Sequence, residues 1–293
     1  MSLDLDERQR AMLKTMGVQV WWPQNAPEPA ANEISLKNEN KNKIDQKLTE
    51  KTIINIANNI INSRLNYQKT SIFNEEIIKI DSTGDVAGLN WPALQQAVAE
   101  CRACALCEGR TQSVFGVGQA PAAEGAPPQV DWLIVGEAPG ENEDRVGEPF
   151  VGQAGQLLDN MLKAIGQERH RNVFIANVIK CRPPGNRNPS PQEVAQCEPY
   201  LHRQIALLRP KMILALGKFA ATSLLRGTVP EVDKMPLGKL RGQVHSYSHG
   251  GLIVPVVASY HPAYLLRSLT EKAKAWEDLC LALAAMEALE KSA

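Results

Sequence analysis

The sequence predicts an α/β protein, a three-layer α/β/α sandwich around a central, mainly parallel sheet of four strands. From about residue 91, short apolar segments alternate with segments that have the apolar period of a helix. Such alternation favours right-handed crossovers between parallel strands, with helices covering both faces of the sheet. A chain of 293 residues that is 44% hydrophobic is also large enough to bury a core on each face.

The predicted elements follow one another in a regular order. Helices are predicted at WPALQQAVAECRACALC (91–107), GQAGQLLDNMLKAIG (152–166), SPQEVAQCEPYLHRQIALL (190–208), KFAATSLL (218–225) and EKAKAWEDLCLALAAMEALEK (271–291). Strands are predicted in DWLIVGEAPG (131–140), which runs into a Gly/Pro turn, NVFIANVIKC (172–181), KMILALG (211–217) and IVPVVASYHP (253–262). Ser190 with Glu193 three residues later is a capping box at the start of the third helix.

The first ninety residues differ from the α/β domain, which we place at residues 91–293. Residues 31–80 contain ten Asn and eleven Ile but no Gly or Pro, so we assign residues 31–90 to a largely disordered linker. Residues 1–30 combine a helical pattern with two adjacent tryptophans. They are either a tail helix packed on their own domain or a peptide that docks on a protein partner.

Composition excludes several classes of protein. The N-terminus has no apolar signal segment and no run approaches eighteen apolar residues, so we expect a cytoplasmic protein without a membrane span. The formal net charge is zero, so no global field attracts nucleic acid. Two stretches, 169–192 and 234–270, nevertheless contain basic residues and no acidic one. They matter for nucleic-acid binding only if they converge in space.

The six cysteines favour metal binding or reactivity over disulfides, because they are sparse and no secretion signal accompanies them. Cys101, Cys104 and Cys107 stand three residues apart in CRACALCEGR. This spacing fits a zinc site, an iron-sulfur site or a redox pair. On chemistry alone, zinc and iron-sulfur are nearly equally favoured. Cys280 is expected to be buried in the last helix.

Polar residues stand where three of the predicted strands end. Glu137 follows the first strand, Asn177 ends the second, and His261 follows the fourth. The carboxyl ends of parallel strands meet at one rim of a sheet, where ligands bind. The amide of Asn177 suits the edge of a base, and Phe150 offers a face for stacking. The intervening Gly-rich turn lacks the spacing of a nucleotide-binding loop, and its five acidic residues would repel a phosphate.

Three blocks of sequence carry a resemblance to a known family. GEAPGENEDRVGEPFVGQAGQLLDNML, NVIKCRPPGNRNPSPQE and HPAYLLR resemble, in order and spacing, the signature blocks of the family 4 uracil-DNA glycosylases, the iron-sulfur branch of that superfamily. The match runs from about Cys101 to Arg267. It implies a uracil-DNA glycosylase-like fold, with residues 91–293 as the catalytic domain. It also implies hydrolysis of the N-glycosidic bond of deoxyuridine in single- or double-stranded DNA, which leaves an abasic site for base excision repair.

The resemblance implies a role for three side chains at the rim. Phe150 stacks on the uracil, Asn177 hydrogen-bonds its pyrimidine edge, and His261 donates to the O2 oxygen as negative charge develops there. His261 is therefore the first choice for a catalytic residue. A base inside a duplex must first be flipped into such a pocket.

Other residues of the first block complete the implied pocket. The backbone around Glu137, Ala138 and Pro139 forms its floor, and Glu143 lies near the C5 edge, where it helps exclude the methyl group of thymine. Other branches of the superfamily carry Asp or Asn at the position of Ala138 to place the attacking water. Since alanine cannot do so, we expect Glu137 to order the water.

The resemblance also points to residues that meet DNA. Leu265 and Leu266 follow the catalytic histidine, where an apolar wedge could fill the stack that the flipped base leaves. We expect at least one of them to be exposed. The expected basic contacts to DNA are Arg182, Arg187 and Arg267.

The resemblance favours an iron-sulfur cluster over zinc at the cysteine site. Cys101, Cys104, Cys181 and Cys197, spaced C-x2-C-x76-C-x15-C, match the four thiolate ligands of the family's [4Fe-4S] cluster. Cys107 then stands outside the ligand set. The cluster would hold a helix and a basic loop in place.

Two rival functions stay open. One is a catalytically silent iron-sulfur module that binds DNA or a replication partner through the two tryptophans; the other is an enzyme that prefers hypoxanthine or xanthine. The presence of Phe150, Asn177 and His261 together favours an enzyme. A covalent mechanism is not expected, because no basic, His-containing insertion lies between Asn188 and His261. We expect a monomer.

Overall fold

The computed structural model describes residues 86–121 and 130–292. The predictions for residues 1–30 and for most of the linker lie outside these described residues. The centre of the fold is a six-stranded mixed sheet of order β1-β3-β2-β4-β6-β5. Its strands are β1 (Val117–Gly118), β2 (Trp132–Gly136), β3 (Val173–Asn177), β4 (Met212–Leu216), β5 (Val244–His249) and β6 (Leu252–Ser259).

The four central strands, β3-β2-β4-β6, are parallel, and they are the four strands that the sequence predicted. Every residue of β2, β3 and β4 is buried, as expected for strands covered on both faces. The predicted α/β class and parallel core are therefore confirmed.

The sheet has six strands instead of the four predicted, because an antiparallel strand is added at each edge. β1 pairs with β3, and β5 pairs with β6. β1 has only two residues, and β5 reads VHSYSH, with mostly polar side chains. Neither has the continuous apolar run by which a buried strand is recognised.

Nine α-helices surround the sheet within the described residues. They are α1 (Trp91–Glu100), α2 (Leu106–Gly109), α3 (Glu141–Val146), α4 (Gln153–Ala164), α5 (Pro191–Leu208), α6 (Lys218–Leu225), α7 (Leu237–Leu240), α8 (Pro262–Leu265) and α9 (Lys272–Ser292). None of these helices is long and apolar enough to cross a membrane. The capping box at α5 is confirmed, since Ser190 Oγ accepts from Glu193 N and the Glu193 carboxylate accepts from Ser190 N.

The two faces of the sheet bury different residues. Leu133, Val135, Ile213 and Ala215 belong to one apolar cluster, which includes residues of α1, α5 and α6. The alternate strand residues, such as Ile134, are fully buried but lie outside that cluster, because side chains along a strand point to opposite faces. Helices α4 and α9 also bury apolar residues that lie outside the cluster. This division is that of three layers.

Several element boundaries differ from the prediction by a few residues, and two of the differences matter here. The first predicted helix ends at Glu100 instead of Cys107, because Cys101 has an extended backbone (ψ 132) and the chain turns there. Residues 86–90, assigned to the linker, belong to the domain. Val86 and Leu89 pack on the apolar cluster, and Arg203 Nε donates to the Leu89 carbonyl over 2.6 Å.

Candidate active site at the carboxyl edge of the sheet

A cavity of about 470 Å³ opens at the carboxyl ends of the parallel strands. This volume is in the range typical of small-molecule sites. Glu137 after β2, Asn177 at the end of β3 and His261 after β6 all line it, together with Phe150. The structure thus brings together the four side chains that the sequence placed at this rim. Further predicted residues in its lining are Ala138, Pro139, Glu143, Arg187 and Arg267.

Gly136 makes the close packing of this site possible. It ends β2 and pairs in register with Asn177. A Cβ on Gly136 would lie 2.6 Å from Phe150 Cζ and would overlap Asn177 Oδ1. The aromatic ring and the carboxamide therefore occupy the space that any other residue at 136 would fill.

Phe150 adopts a backbone conformation that non-glycine residues rarely use, with φ at 54°. The residue is 5% exposed, and its ring stacks on the imidazole of His261, with centroids 5.2 Å apart and planes inclined at 26°. On the side of α4, a Cβ on Gly155 would overlap the Phe150 carbonyl oxygen. The stacking surface is thus held on a strained peptide pressed against a glycine.

Asn177 is anchored by a buried cation that the sequence analysis did not identify. Lys180 is 1% exposed, and its Nζ donates to the Asn177 carbonyl at 2.8 Å and to Gln204 Oε1 at 2.7 Å. Burial lowers the pKa of Lys180 to about 8. In the sequence, Lys180 is one of several basic residues in the stretch 169–192, and nothing there marks it as buried.

His261 lies at the start of α8, and its hydrogen bond fixes its tautomer. The Ala263 N–H donates to His261 Nδ1 over 3.2 Å, so Nδ1 is an acceptor and the ring proton sits on Nε2. Burial, with a smaller contribution from the Arg267 charge, lowers the pKa of His261 to about 4. The imidazole is therefore neutral at pH 7 and offers one N–H donor.

Glu137 is one of two carboxyl groups in the lining of the cavity, with Glu143. Burial raises the pKa of Glu137 to about 7. Its main-chain carbonyl accepts from Ile179 N over 3.2 Å, which ties the turn after β2 to the turn after β3. Glu143 is held by its own turn, since its Oε2 accepts from Gly140 N over 3.1 Å.

The two arginines of the loop between β3 and α5 are engaged in ion pairs. Arg187 forms a bidentate pair with Glu193, at 2.9 and 2.6 Å, and this pairing lowers the pKa of Glu193 to about 2. Arg182 donates to Asn186 Oδ1 over 2.8 Å and lies 3.4 Å from Glu141. The Arg187 side chain is still 48% exposed, so it can face a ligand while paired.

The two candidate wedge residues differ in exposure. Leu266 is 38% exposed, whereas Leu265 is 0% exposed. Leu265, the last residue of the four-residue helix α8, faces the interior, so it is not in a position to contact DNA. Arg267 is exposed beside the cavity.

A second, small cavity is lined by five cysteines: Cys101, Cys104, Cys107, Cys181 and Cys197. Arg110 Nη1 donates to Cys181 Sγ over 3.1 Å, and Lys180 N donates to Cys197 Sγ over 3.3 Å. Burial raises the pKa of the Cys197 thiol to about 12 and also raises those of Cys104 and Cys181.

The donor set of this cavity fits a group bound by thiolates, because sulfur predominates and cationic side chains stand nearby. The sulfur atoms are not arranged around a common centre: among the described residues, no three His, Cys, Asp or Glu are placed to hold a metal ion. Cys107 lines the cavity with the four predicted ligands. Cys280 lies elsewhere, on α9, and is exposed; the prediction that it is buried was wrong.

Comparisons with known proteins agree with this fold class. The profile of the uracil DNA glycosylase superfamily matches residues 114–280. Among its relatives, the chain is 43% identical over 169 residues to a type-4 uracil-DNA glycosylase of Archaeoglobus fulgidus, covering 58% of the chain and 79% of that protein.

Two further relatives bear the same name. A type-4 uracil-DNA glycosylase of Pyrobaculum aerophilum is 39% identical over 188 residues, which cover 64% of the chain and 90% of the relative. One of Thermotoga maritima is 39% identical over 175 residues, covering 60% and 82%. The chain belongs to the uracil DNA glycosylase superfamily and, within it, to the type-4 family, as the three sequence blocks predicted.

Proposed function

We propose that this protein is a DNA repair enzyme that flips deoxyuridine out of DNA and hydrolyses its N-glycosidic bond. The products are free uracil and an abasic site. The observation that carries this proposal is the convergence of Phe150, Asn177 and a neutral His261 on one cavity, in a chain of the type-4 family. A protein that only binds DNA has no need of a cavity lined by this set of groups.

Recognition of the base falls to Phe150 and Asn177. The Phe150 ring supplies a face on which the flipped uracil stacks, and the Asn177 carboxamide offers a donor and an acceptor to its pyrimidine edge. Glu143, which lines the same cavity, stands near C5 and helps exclude thymine. Together, these three contacts would hold one uracil in the cavity in a single orientation.

His261 stabilises the charge that develops on the leaving base. As the bond between C1′ and N1 breaks, its electron pair passes to the uracil ring and spreads to O2. His261 Nε2–H donates to that oxygen without giving up its proton. A single fixed donor of this kind is typically worth about 3 to 4 kcal/mol of activation free energy.

Glu137 orders the water that completes the reaction. The oxygen of that water bonds to C1′, and one proton of the water passes to the Glu137 carboxylate. The uracil anion later takes a proton from solvent. Ala138 cannot serve this purpose, because its side chain has no polar atom. The ionised form of Glu137 is the competent one, since only it can accept the proton.

DNA is held around the mouth of the cavity. Leu266 is the proposed wedge that fills the vacated stack, because it is exposed and follows His261 by five residues. Arg267 and the half-exposed Arg187 contact phosphates, with Arg182 supporting the same loop. Both single- and double-stranded DNA remain within the proposal.

We also propose a [4Fe-4S] cluster held by Cys101, Cys104, Cys181 and Cys197. The support is the shared cavity of these cysteines and their family spacing. The cluster would supply a structural cross-link that joins the turn after α1, the loop after β3 and helix α5. Structural zinc is the competing occupant, because four thiolates suit it as well. Iron and zinc analysis of the purified protein distinguishes the two.

The remaining proposals concern the setting of the enzyme. Residues 1–30 are proposed to dock on a protein partner, the chain to act as a monomer, and its location to be the cytoplasm. Comparing the full chain with one that begins at residue 86 tests the first of these. The shortened chain is expected to excise uracil at the rate of the full chain but to lose binding to the protein partner.

The activity is tested with labelled oligonucleotides that contain uracil, hypoxanthine, xanthine or a thymine mismatch. Alkali cleaves the strand wherever a base has been released. Cleavage at uracil, and its loss in His261→Ala, is the expected result. Preferred cleavage at hypoxanthine or xanthine would support the rival substrate, and no cleavage of any oligonucleotide would support the silent binding module.

A further inference from the structure

We propose that Arg169 is a positioning residue that holds Phe150 in the conformation that stacks on the base. The inference rests on the proposed excision of uracil and adds to it a residue outside the cavity. Arg169 is not among the residues that line the cavity. It would therefore act on the substrate only through Phe150.

The contacts of Arg169 form a three-point clamp behind the aromatic ring. Its Nη1 donates to the Pro149 carbonyl at 3.0 Å, and its Nη2 donates to the Phe150 carbonyl at 2.9 Å. Its Nε donates to Asp159 Oδ1 at 2.9 Å. Asp159 belongs to α4, so one planar guanidinium joins two successive peptides of the loop to a rigid helix.

The clamped peptide is the strained one. Phe150 has φ at 54°, a conformation that a non-glycine residue keeps only when its surroundings over-determine it. The Phe150 carbonyl, which accepts from Arg169, also presses against Gly155, where a Cβ would overlap it. Two residues therefore determine the position of this carbonyl. Arg169 donates a hydrogen bond to it, and Gly155, which has no Cβ, leaves the space that it occupies.

The orientation of that carbonyl decides where the ring lies. With the peptide as it stands, the ring packs on Gly136 and stacks on His261 at 5.2 Å. If the residue returned to negative φ, the Cα–Cβ bond would point in another direction and the ring would leave the cavity. Arg169 thus maintains the stacking surface without touching the base.

A direct contact of Arg169 with DNA does not fit its position. The Arg169 side chain is only 15% exposed, and its donors point at protein oxygens. Arg171, two residues later in the same basic stretch, is exposed. The pair provides a matched comparison, since either substitution removes one positive charge from the same turn.

The test is a double-mutant cycle on single-turnover uracil release, with Arg169→Met, Phe150→Ala and the double variant. Arg169→Met is expected to slow release by about tenfold or more, since a displaced stacking group costs orientation. In the Phe150→Ala background, the same change is expected to have no further effect. Arg171→Met is expected to keep the wild-type rate. Arg169→Lys, which keeps the positive charge but loses the planar fork of donors, is expected to show an intermediate rate.

The thermal midpoint and a crystal structure of Arg169→Met accompany the kinetics. Equal slowing in both backgrounds, or positive φ and an unmoved ring at Phe150 in that structure, would overturn the inference. If Arg169→Met does not fold, Arg169→Lys takes its place in the cycle and is judged by the same criteria. If wild type itself releases no uracil, the proposed function fails, and the φ angle of Phe150 alone then decides the role of Arg169.

Discussion

Two cavities of the molecule are built differently. The rim cavity is the one lined by Glu137, Phe150, Asn177 and His261, and the cysteine cavity is the one lined by the five cysteines. They lie at the two ends of one short segment, from Asn177 to Cys181. In the rim cavity the protein itself positions the groups: Gly136 makes room for Phe150 and Asn177, the Lys180 ammonium holds the Asn177 carbonyl, and the Ala263 N–H holds His261 Nδ1. In the cysteine cavity the thiols are gathered but not directed at a common centre. The rim cavity is preorganised by the fold, whereas the cysteine cavity has its thiol donors but not the arrangement around one centre that a metal ion needs.

The difference teaches which property each site depends on. A preorganised site loses activity when one group moves, because its donors must point where charge develops. A thiolate site gains its geometry from what it binds, and that binding contributes to folding. Substitutions in the rim cavity should therefore change the chemistry with little change in stability, and substitutions in the cysteine cavity should do the reverse.

The largest expected effect is that of His261→Ala. It removes the donor to the departing base, and single-turnover uracil release should slow by about 10² to 10³. The iron content should stay as in wild type. His170→Ala, at an exposed position outside both cavities, is the matched control. A near wild-type rate in His261→Ala would remove His261 from the catalytic groups.

Cys197→Ser should have the opposite signature. Loss of one of four thiolates is expected to release the metal, so that absorbance near 400 nm and about four iron atoms per chain are lost. The thermal midpoint should fall with them. Cys280→Ser and Cys107→Ser should keep the full iron content. If Cys107→Ser loses iron instead, the ligand set needs Cys107 in place of one of its neighbours.

Lys180→Met breaks the comparison, because Lys180 belongs to both regions. Its removal leaves the buried Gln204 Oε1 without its ammonium donor and frees the Asn177 carbonyl. We expect a loss of about 1 to 3 kcal/mol in the free energy of unfolding, measured by denaturant titration. Uracil release should also slow several-fold, and Lys163→Met on the surface of α4 should change neither. A change in stability alone would separate Lys180 from the active site.

A further expected effect is a pH dependence that arises in the rim cavity. With a pKa of about 7, Glu137 is protonated below that pH, so release should fall roughly tenfold per pH unit below 7 and level off above it. His261, with a pKa of about 4, stays neutral throughout this range. Glu137→Gln should be slower and pH-independent. A profile that Glu137→Gln leaves unchanged would assign the water to another group.

The same pKa makes a statement about stability. Because the pKa of Glu137 is raised above its ordinary value of 4.5, the folded protein holds an extra proton between pH 4.5 and about 7. Its contribution to stability is present below pH 4.5 and is lost as the pH rises through 7. The free energy of unfolding of wild type should therefore fall across this window relative to that of Glu137→Gln.

Much of the fold could be predicted because its central strands are continuous apolar runs between turn residues. The rim residues followed from topology, since the ends of parallel strands meet at one edge. The edge strands β1 and β5 could not be predicted, because one is too short and the other mostly polar. Nor could the burial of Leu265 and the exposure of Leu266 be assigned, since the last residue of a four-residue helix and the residue that follows it share one local pattern.

The supporting residues escaped prediction for a related reason. Lys180 and Arg169 stand in a stretch without acids, which favours a solvated basic face. The structure turns both inward, onto main-chain carbonyls of Asn177 and Phe150. Their partners are backbone atoms, which every sequence has, so no pattern of side chains marks them.

The fixed tautomer of His261 has a consequence for the choice of substrate. A neutral imidazole holds its remaining proton tightly, so the base must depart as an anion. The rate should then follow the acidity of the departing base at N1. An electron-withdrawing group at C5 that is small enough for the cavity, such as fluorine, should speed release, and an electron-donating methyl should slow it. Selection against thymine would therefore be partly electronic, arising from the bond that breaks as well as from the shape of the pocket.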